Sequence, residues 1–563
     1  MKTIKRLLNL IMLTGCCLGC QETLENMFDY ELTDIPKNAY TANQIFSTPE
    51  GVETAVNGMY FDLQAFDYYG ARFHLLVWPH SGKYHSNQTA SQDATSLMLQ
   101  NTNSNLDKLW AGMYKTINTV NVVIRHLKKS TVSNRDLAIG QAYFLRGLTY
   151  FNLVRLFGEV PLRTVPTTVN DLNIPKSSKE QIISQVLKDF TKAKRLLPDR
   201  GEYLPGRPLK YAANAYLAIT YMWIAGREQD DAQYLNEEML HTEQILNFWE
   251  AAKKELDTVI LKGGYSLTPQ FEMLFNEGSE NTSESIFELQ YGHTGAVKSS
   301  ALIRDVSLKN SELIPLGTQA FGRVNPNKEM FSDHVIQYSG KKYKNFEFIP
   351  AGKSSNKLKL NDAIADPRIK RTYLFNGYVQ TTNQKNKNLF PVVSGKSRWA
   401  HVFLNKYPDH TYNSTTQSRN FMLLRYADIL LRRAEVENEL TGPTKAFSYV
   451  NKVLARARTV ANGYTKYPAD WSIKECPDKK TFRARIMKER EFELNGEGHE
   501  WFDMRRRGLR PFIEQVKHHN RAVKFYKSNG GGSAGDFIYH HPETQMLMPI
   551  PLSETSANSL INN

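Results

Sequence analysis

The stretch Ala142-Tyr143-Phe144-Leu145-Arg146-Gly147-Leu148-Thr149-Tyr150-Phe151-Asn152-Leu153-Val154 places apolar residues on nearly every face of a helix. A helix with no polar side must be enclosed by others, so this segment predicts the centre of a helical bundle. Gly158 and then Pro161 provide its stop. Upstream, Leu109, Met113, Ile117, Val120 and Ile124 mark one stripe of a helix over 106–129. Before that, Ser47-Thr48-Pro49-Glu50-Gly51 reads as a helix start, with Pro in the first turn and an acid near the positive end of the dipole. Downstream, 179–197, 209–225 and 242–262 are amphipathic and each ends in Gly or Pro. Paired helices with short connections suggest a tetratricopeptide-like array, although no repeat matches that consensus well.

From Gly263 the texture changes. Residues 263–418 are rich in Gly, Pro, Asn, Ser and Tyr with short apolar runs such as Ser285–Gln290 and His401–Leu404, which predicts long loops and a few strands. Long loops are where ligand contacts concentrate. Helices return over 421–440, where Leu424, Ala427, Leu431 and Ala434 form a stripe and Asp428 can pair with Arg432 one turn on. Further helices are expected over 444–458 and 481–494. Ser528–Gly535 is a flexible Gly-rich loop, and Met546-Leu547-Met548-Pro549-Ile550-Pro551 is an apolar closing segment expected to tuck onto the body.

The chain has 563 residues, of which 41% are hydrophobic and 23% charged, a globular composition with ample core material. Lys2, Lys5 and Arg6 precede a short apolar run from Leu7 to Gly19, the pattern of a secretory signal and too short to span a membrane as a helix. The formal charge of +14 falls to +11 once those three cations are removed. Basic residues are interspersed with acids apart from Arg505-Arg506-Arg507, which argues against nucleic acid and leaves an acidic ligand as a use for the excess. Cys16, Cys17 and Cys20 close the signal and Cys476 stands alone downstream, so no disulfide framework is available to the mature body. A small residue before Cys after an apolar run resembles a lipobox. Cys20 is favoured as the acylated anchor, with Cys16 as the alternative.

Glu489, Glu493, Glu497 and Asp503 invite a hydrolase reading, since paired carboxylates cleave glycosides. The glutamates lie one turn apart among arginines, and ion pairs at a helix junction are the better expectation. Gly352-Lys353-Ser354 and Gly395-Lys396-Ser397 lack the earlier glycine of a phosphate loop. His80 with His85, His518-His519 and His540-His541 lack zinc-site companions and are expected as solvated loop residues. No cofactor is implied; a structural calcium at a carboxylate-rich loop stays open, without a motif to mark it. For ligand contacts the candidates are loop aromatics with polar neighbours: Trp78 and Tyr84 in Trp78-Pro79-His80-Ser81-Gly82-Lys83-Tyr84, then Tyr291 with His293, and Trp399 with Arg398.

Several blocks together resemble the SusD/RagB family of Bacteroidetes outer-membrane lipoproteins. They are Ser47 through Tyr60; Trp110, Tyr114, Ile117 and Asn121; Leu145 through Leu162, with Gly147 where Ala is usual; Leu424 through Leu431 with Ala434-Glu435; Glu489-Arg490, Glu493-Leu494, Glu497-Gly498, Trp501-Phe502-Asp503 and Arg505-Arg506; and Pro549-Ile550-Pro551 with Glu554 and Asn558. The usual ending runs on through Gln-Asn-Pro-Gly-Tyr, whereas here it stops at Asn563. The resemblance also favours Cys20, because Leu24-Glu25 follows it. It implies a mostly helical SusD-like fold, with tetratricopeptide-like helix pairs as scaffold and a loop-rich face carrying the ligand site. The corresponding layout is a lipoprotein signal (1–19), a lipid-anchored tether (20–41), an N-terminal helical region (42–262) and a C-terminal region (263–563). The last comprises the loop-rich insert 263–418, helices over 419–510 and the closing segment. The implied function is non-catalytic capture of an oligosaccharide at the cell surface for a SusC-like TonB-dependent outer-membrane transporter. An oligopeptide-binding member of the family, a surface glycoside hydrolase and a peptide-binding repeat scaffold are the alternatives.

Overall fold

A computed structural model describes residues 41–562 apart from 200–203, 229–241, 293–299, 310, 312, 347–362, 376–378, 383–384, 389–401 and 529–537. The signal, both candidate anchor cysteines and nearly all of the tether lie outside the described residues, as do both Gly-Lys-Ser stretches and most of the Gly-rich loop. After a single turn at Ala42–Ile45, the first long helix is α1 (Pro49–Leu63), capped by Thr48, whose side chain accepts from the Gly51 N–H at 3.1 Å. α2 (Ser104–Leu127), α3 (Arg135–Phe157), α4 (Lys179–Leu196), α5 (Lys210–Glu228) and α6 (Thr242–Lys262) follow. Each packs on its neighbour in sequence order, and α1 lies against both α2 and α3.

α3 occupies the middle, as its unbroken apolar run requires: every residue from Ala138 to Phe157 is buried. Phe144 meets Phe190 of α4, Tyr216 of α5 and Phe287 edge-on at ring separations of 5.8, 5.6 and 5.0 Å. Gly147 faces the Phe190 ring, and an added Cβ would sit 3.0 Å from it. The one cation inside the quoted stretch is fully compensated. Arg146 makes a bidentate pair with buried Asp189, both bonds 2.8 Å, and donates to Asn121 Oδ1 at 2.8 Å and to the Thr164 carbonyl at 3.0 Å.

After α6 the chain leaves the array and later returns to it. Short strands β2 (Ser285–Leu289) and β3 (Val324–Pro326) belong to this excursion, with α7 (Lys328–Tyr338) and β4 (Phe421–Arg425), whereas β1 (Tyr84–Ser86) comes from the segment between α1 and α2. β1 pairs antiparallel with β3, Tyr84 opposite Pro326, and β2 pairs antiparallel with β4, Phe421 opposite Leu289. The β2–β4 pair thus joins the beginning of the insert to its end. α8 (Tyr426–Thr441) starts directly from β4 and packs on α6, so the array continues as though the insert were absent. α9 (Pro443–Arg458) and α10 (Lys479–Leu494) pack on α8, and α11 (Glu500–Arg505) and α12 (Leu509–Ser528) complete the helical part. The closing segment tucks in as expected: Met548 is buried and its N–H donates to the Leu156 carbonyl at 2.7 Å.

The fold is mostly helical with few short strands, as the sequence implies, but three local expectations are corrected. Phe421–Arg425 is a strand rather than the first turn of a helix, because its backbone is claimed by β2 from the far end of the insert. α7 interrupts a region read as loops and strands, and α12 runs to Ser528, past 510, where the helical block was expected to end. Replacing Asp189 by Ala would leave Arg146 buried and unpaired. The expected loss is about 3–5 kcal/mol of unfolding free energy in urea titrations followed by circular dichroism, with Asp189→Asn losing less.

Candidate functional site

The carboxylate cluster that invites a hydrolase reading is closed off and neutralised. Arg368 Nη1 donates to Glu489 at 2.6 Å and to Glu493 at 2.9 Å. Arg425 donates to Glu493 through Nη1 and to Glu497 through Nε, each at 2.7 Å. Lys406 Nζ lies 2.7 Å from Glu497, and Arg456 bonds both Glu284 and Glu493. Arg490 pairs with Asp428 and Asp503, and Arg506 with Asp503 and Glu435. Burial would raise the Glu493 carboxyl, but Arg456, Arg425 and Arg368 outweigh it and hold it well below the usual carboxylate range. Glu489 is pushed up by burial, yet it is enclosed and bonded to Tyr338 and Arg368. The expectation of ion pairs at a helix junction is realised. The three consecutive arginines are buried too: Arg505 donates to the His80 and Ser81 carbonyls, while Arg506 and Arg507 reach Glu435.

Trp78 and Tyr84 are core residues. Trp78 is 1% exposed, wedged where a π turn (Phe73–Val77) meets a 3-10 turn (Pro79–Ser81), with Tyr84 and Phe421 rings 5.4 and 6.2 Å away. Gly498 makes room for its indole: φ there is +83°, and a Cβ would lie 3.1 Å from Trp78 Nε1. The neighbours that look polar in the sequence are themselves buried and bonded. His80 faces Gln545 and Trp501, and the Tyr84 hydroxyl donates to Asn495 at 2.8 Å and Glu500 at 3.0 Å. Tyr291 is likewise buried at the base of the insert, its N–H donating to Asn420 Oδ1 at 3.1 Å. His293, Arg398 and Trp399 lie outside the described residues. The histidines depart from expectation as well: His80, His85 and His519 are buried, His518 contacts Asp333 at 2.9 Å and His519 contacts Glu329 at 2.8 Å, while His540 and His541 are exposed. Among the described residues no three His, Cys, Asp or Glu side chains are placed to hold a metal ion.

The described residues offer a different candidate where three loops meet beyond β1 and β3. The Asn87 N–H, just past β1, donates to the Arg323 carbonyl at 3.0 Å, and the Phe321 N–H donates to the Arg304 carbonyl at 2.7 Å. The Gln319 N–H donates to Ser414 Oγ at 2.8 Å and the Tyr412 hydroxyl to the Gln319 carbonyl at 2.7 Å. On this frame the half-buried Phe321 ring carries the Arg323 guanidinium 4.1 Å from its centroid. Arg304 and Arg323 each reach buried Asp305 at 3.3 Å, and His74 contacts its other oxygen at 3.0 Å. Burial raises the Asp305 carboxyl, but the bond and charge of His74, with Arg304 and Arg323, hold it below its ordinary value. Two part-exposed guanidiniums over one carboxylate leave a positive surplus beside an aromatic ring. The rule that singles out Trp399 beside Arg398 also fits Phe321-Gly322-Arg323, so this pair was legible in the sequence.

The fold is thus a stack of paired helices displaying a loop-built aromatic and cationic face. The family model described as SusD family matches residues 283–563, and a second, described as starch-binding associating with outer membrane, matches 53–222. The chain belongs to the SusD family. SusD-like protein P25 of Formosa agariphila is 23% identical, covering 99% of this chain and 98% of that one, and SusD-like protein P2 of the same organism is 24% identical over 88% and 89%. Among solved structures, a SusD homolog from Bacteroides thetaiotaomicron superposes with TM-score 0.70 at 20% identity, covering 93% of this chain and 98% of that one. Another, solved with a xylogluco-oligosaccharide, gives TM-score 0.64 at 17% identity over 91% and 98%.

Two outcomes follow for the buried residues. Trp78→Ala empties a core site and should lower stability by about 3–5 kcal/mol in chemical unfolding, whereas Trp78→Phe keeps one aromatic ring and gives up the smaller remainder of the indole with an N–H that has no partner among the described residues, costing less. Glu500 accepts from Tyr84 and from the Gly496 N–H at 3.0 Å, but burial dominates and pushes its carboxyl up to about 7. The folded chain therefore holds a proton that the unfolded chain releases above about pH 4.3, so this group's contribution falls as pH rises from there to about 7 and is flat above. Urea midpoints at pH 5, 6, 7 and 8 should show Glu500→Gln gaining on the native chain across that window by up to roughly 3 kcal/mol.

Proposed function

We propose that the chain is a lipid-anchored cell-surface protein that captures an oligosaccharide without cleaving it and delivers it to a SusC-like TonB-dependent outer-membrane transporter. The observation that carries this reading is the Phe321–Arg323–Arg304 face on a SusD-family scaffold. An aromatic ring offers its surface to sugar C–H groups, and the flanking guanidiniums donate to hydroxyls and to any acid groups. The surplus charge favours a uronic or sulfated sugar. Family membership and the xylogluco-oligosaccharide bound to a protein of the same fold support the ligand class. The second family model, described as starch-binding associating with outer membrane, supports the location. Among the described residues no helix is long and apolar enough to cross a membrane. Attachment in this reading comes from acylated Cys20, whose two or more acyl chains suffice for stable anchoring. Non-catalytic action accords with the burial and ion pairing of Glu489, Glu493 and Glu497.

A glycan array followed by calorimetry should identify an oligosaccharide ligand, acidic sugars ranking above neutral ones. Phe321→Ala and Arg323→Ala should each weaken it by about tenfold, or roughly 1.4 kcal/mol, both staying folded, with Arg323→Ala losing some melting temperature because buried Asp305 then keeps only Arg304 and His74. Release of reducing ends on incubation would make the protein an enzyme. Binding of oligopeptides but of no sugar would move it to a different ligand class.

A further inference from the structure

A groove of about 570 Å³ runs between α10 and α12 with α11 beneath it, and none of its lining residues comes from the three loops of the Phe321 face. It is held open by ion pairs and hydrogen bonds. Asp333 of α7 bridges its two walls, 3.1 Å from Lys488 Nζ on α10 and 2.9 Å from His518 Nε2 on α12. At another point Arg507 Nη2 donates to the Arg483 carbonyl at 3.1 Å. The volume lies within the range of small-molecule sites, and a preformed site costs no ordering on binding.

Two features separate this groove from an ordinary crevice. Its floor is carbon-rich, with Ala484, Met487, Leu494, Met504 and Pro511, and methionines adapt to varied apolar shapes. Four of its lining residues also carry a buried polar atom with no partner among the described residues: Arg490 Nη2, Gln515 Nε2, His499 Nε2 and Glu491 Oε1. Arg490 is 1% and Gln515 8% exposed, and a buried donor left unsatisfied costs about 1–3 kcal/mol. The charge balance is positive, with seven Lys or Arg against five carboxyl groups in the lining. Lys480 and Arg510 lie exposed on the α10 and α12 sides and make no ion pair among the described residues.

We propose that this groove is a second binding site, for a small amphipathic carboxylate whose apolar body lies on the methionine floor and whose carboxylate accepts from Arg490 and Gln515. Lys480 and Arg510 attract it from solution. The site acts independently of the loop face.

The test uses the full-length chain with octanoate as probe, followed by calorimetry and by the 13C signal of labelled carboxylate. Saturable one-site binding is expected, at least about tenfold tighter than octanol, acetate or glucuronate. Ala484→Trp, an exposed position that fills the groove, and Gln515→Leu, which removes a donor with no partner among the described residues, should each weaken octanoate by about tenfold or more. Melting temperatures and oligosaccharide binding should stay unchanged. The proposal is overturned if octanoate does not saturate, if octanol or glucuronate binds as tightly, or if folded Ala484→Trp or Gln515→Leu protein keeps native octanoate affinity.

Discussion

Glu493 accepts from three arginines that reach it from separate parts of the chain: Arg368 from the insert, Arg425 from the returning strand and Arg456 from α9. All four side chains are buried, and a charge in that environment is tolerable only while its partners stay in place. Placing any one of these residues therefore constrains the other three. Because Arg425 also holds Glu497 and Glu284, and Arg368 also holds Asp366 and Glu489, the constraint spreads across the seam between insert and helices.

Such a seam does different work from the apolar core. The core clusters around α3 supply burial, which is non-directional and tolerates small shifts of one helix on another. Charge-assisted arginine–carboxylate hydrogen bonds are short and directional, and several converging on one carboxylate fix angle as well as distance. The insert is thus given a defined orientation on the helical stack, and the Phe321 face inherits it through β3 and the hydrogen bonds of its three loops.

The helical scaffold was legible because its information is local. The stripe Leu109, Met113, Ile117, Val120, Ile124 and the all-apolar run of α3 carry their own periodicity, and the Glu–Arg alternation from 489 onward announces pairing without naming partners. The β2–β4 pair was not legible, since the apolar spacing of Leu424, Ala427 and Leu431 suits a helix and only a distant strand decides otherwise. Trp78 misled for a related reason: polar neighbours imply solvent only if they are not bonded inside, and His80, Ser81 and Lys83 all are. The Phe321 pair was within reach of the sequence, whereas Asp305, which braces its arginines, was not. The three-loop meeting point that gives Asp305 its role is made by tertiary contacts alone.

The strand pair at the neck of the insert has an evolutionary consequence. With β2 and β4 bonded side by side, the ends of the intervening chain are held together whatever lies between them, and the entropy of closing a loop grows only logarithmically with its length. Lineages can lengthen, shorten or exchange that chain at small cost to the helices, provided the charges of the seam are kept. New specificities can then arise by cassette replacement in the loops while the α6–α8 contact stays untouched.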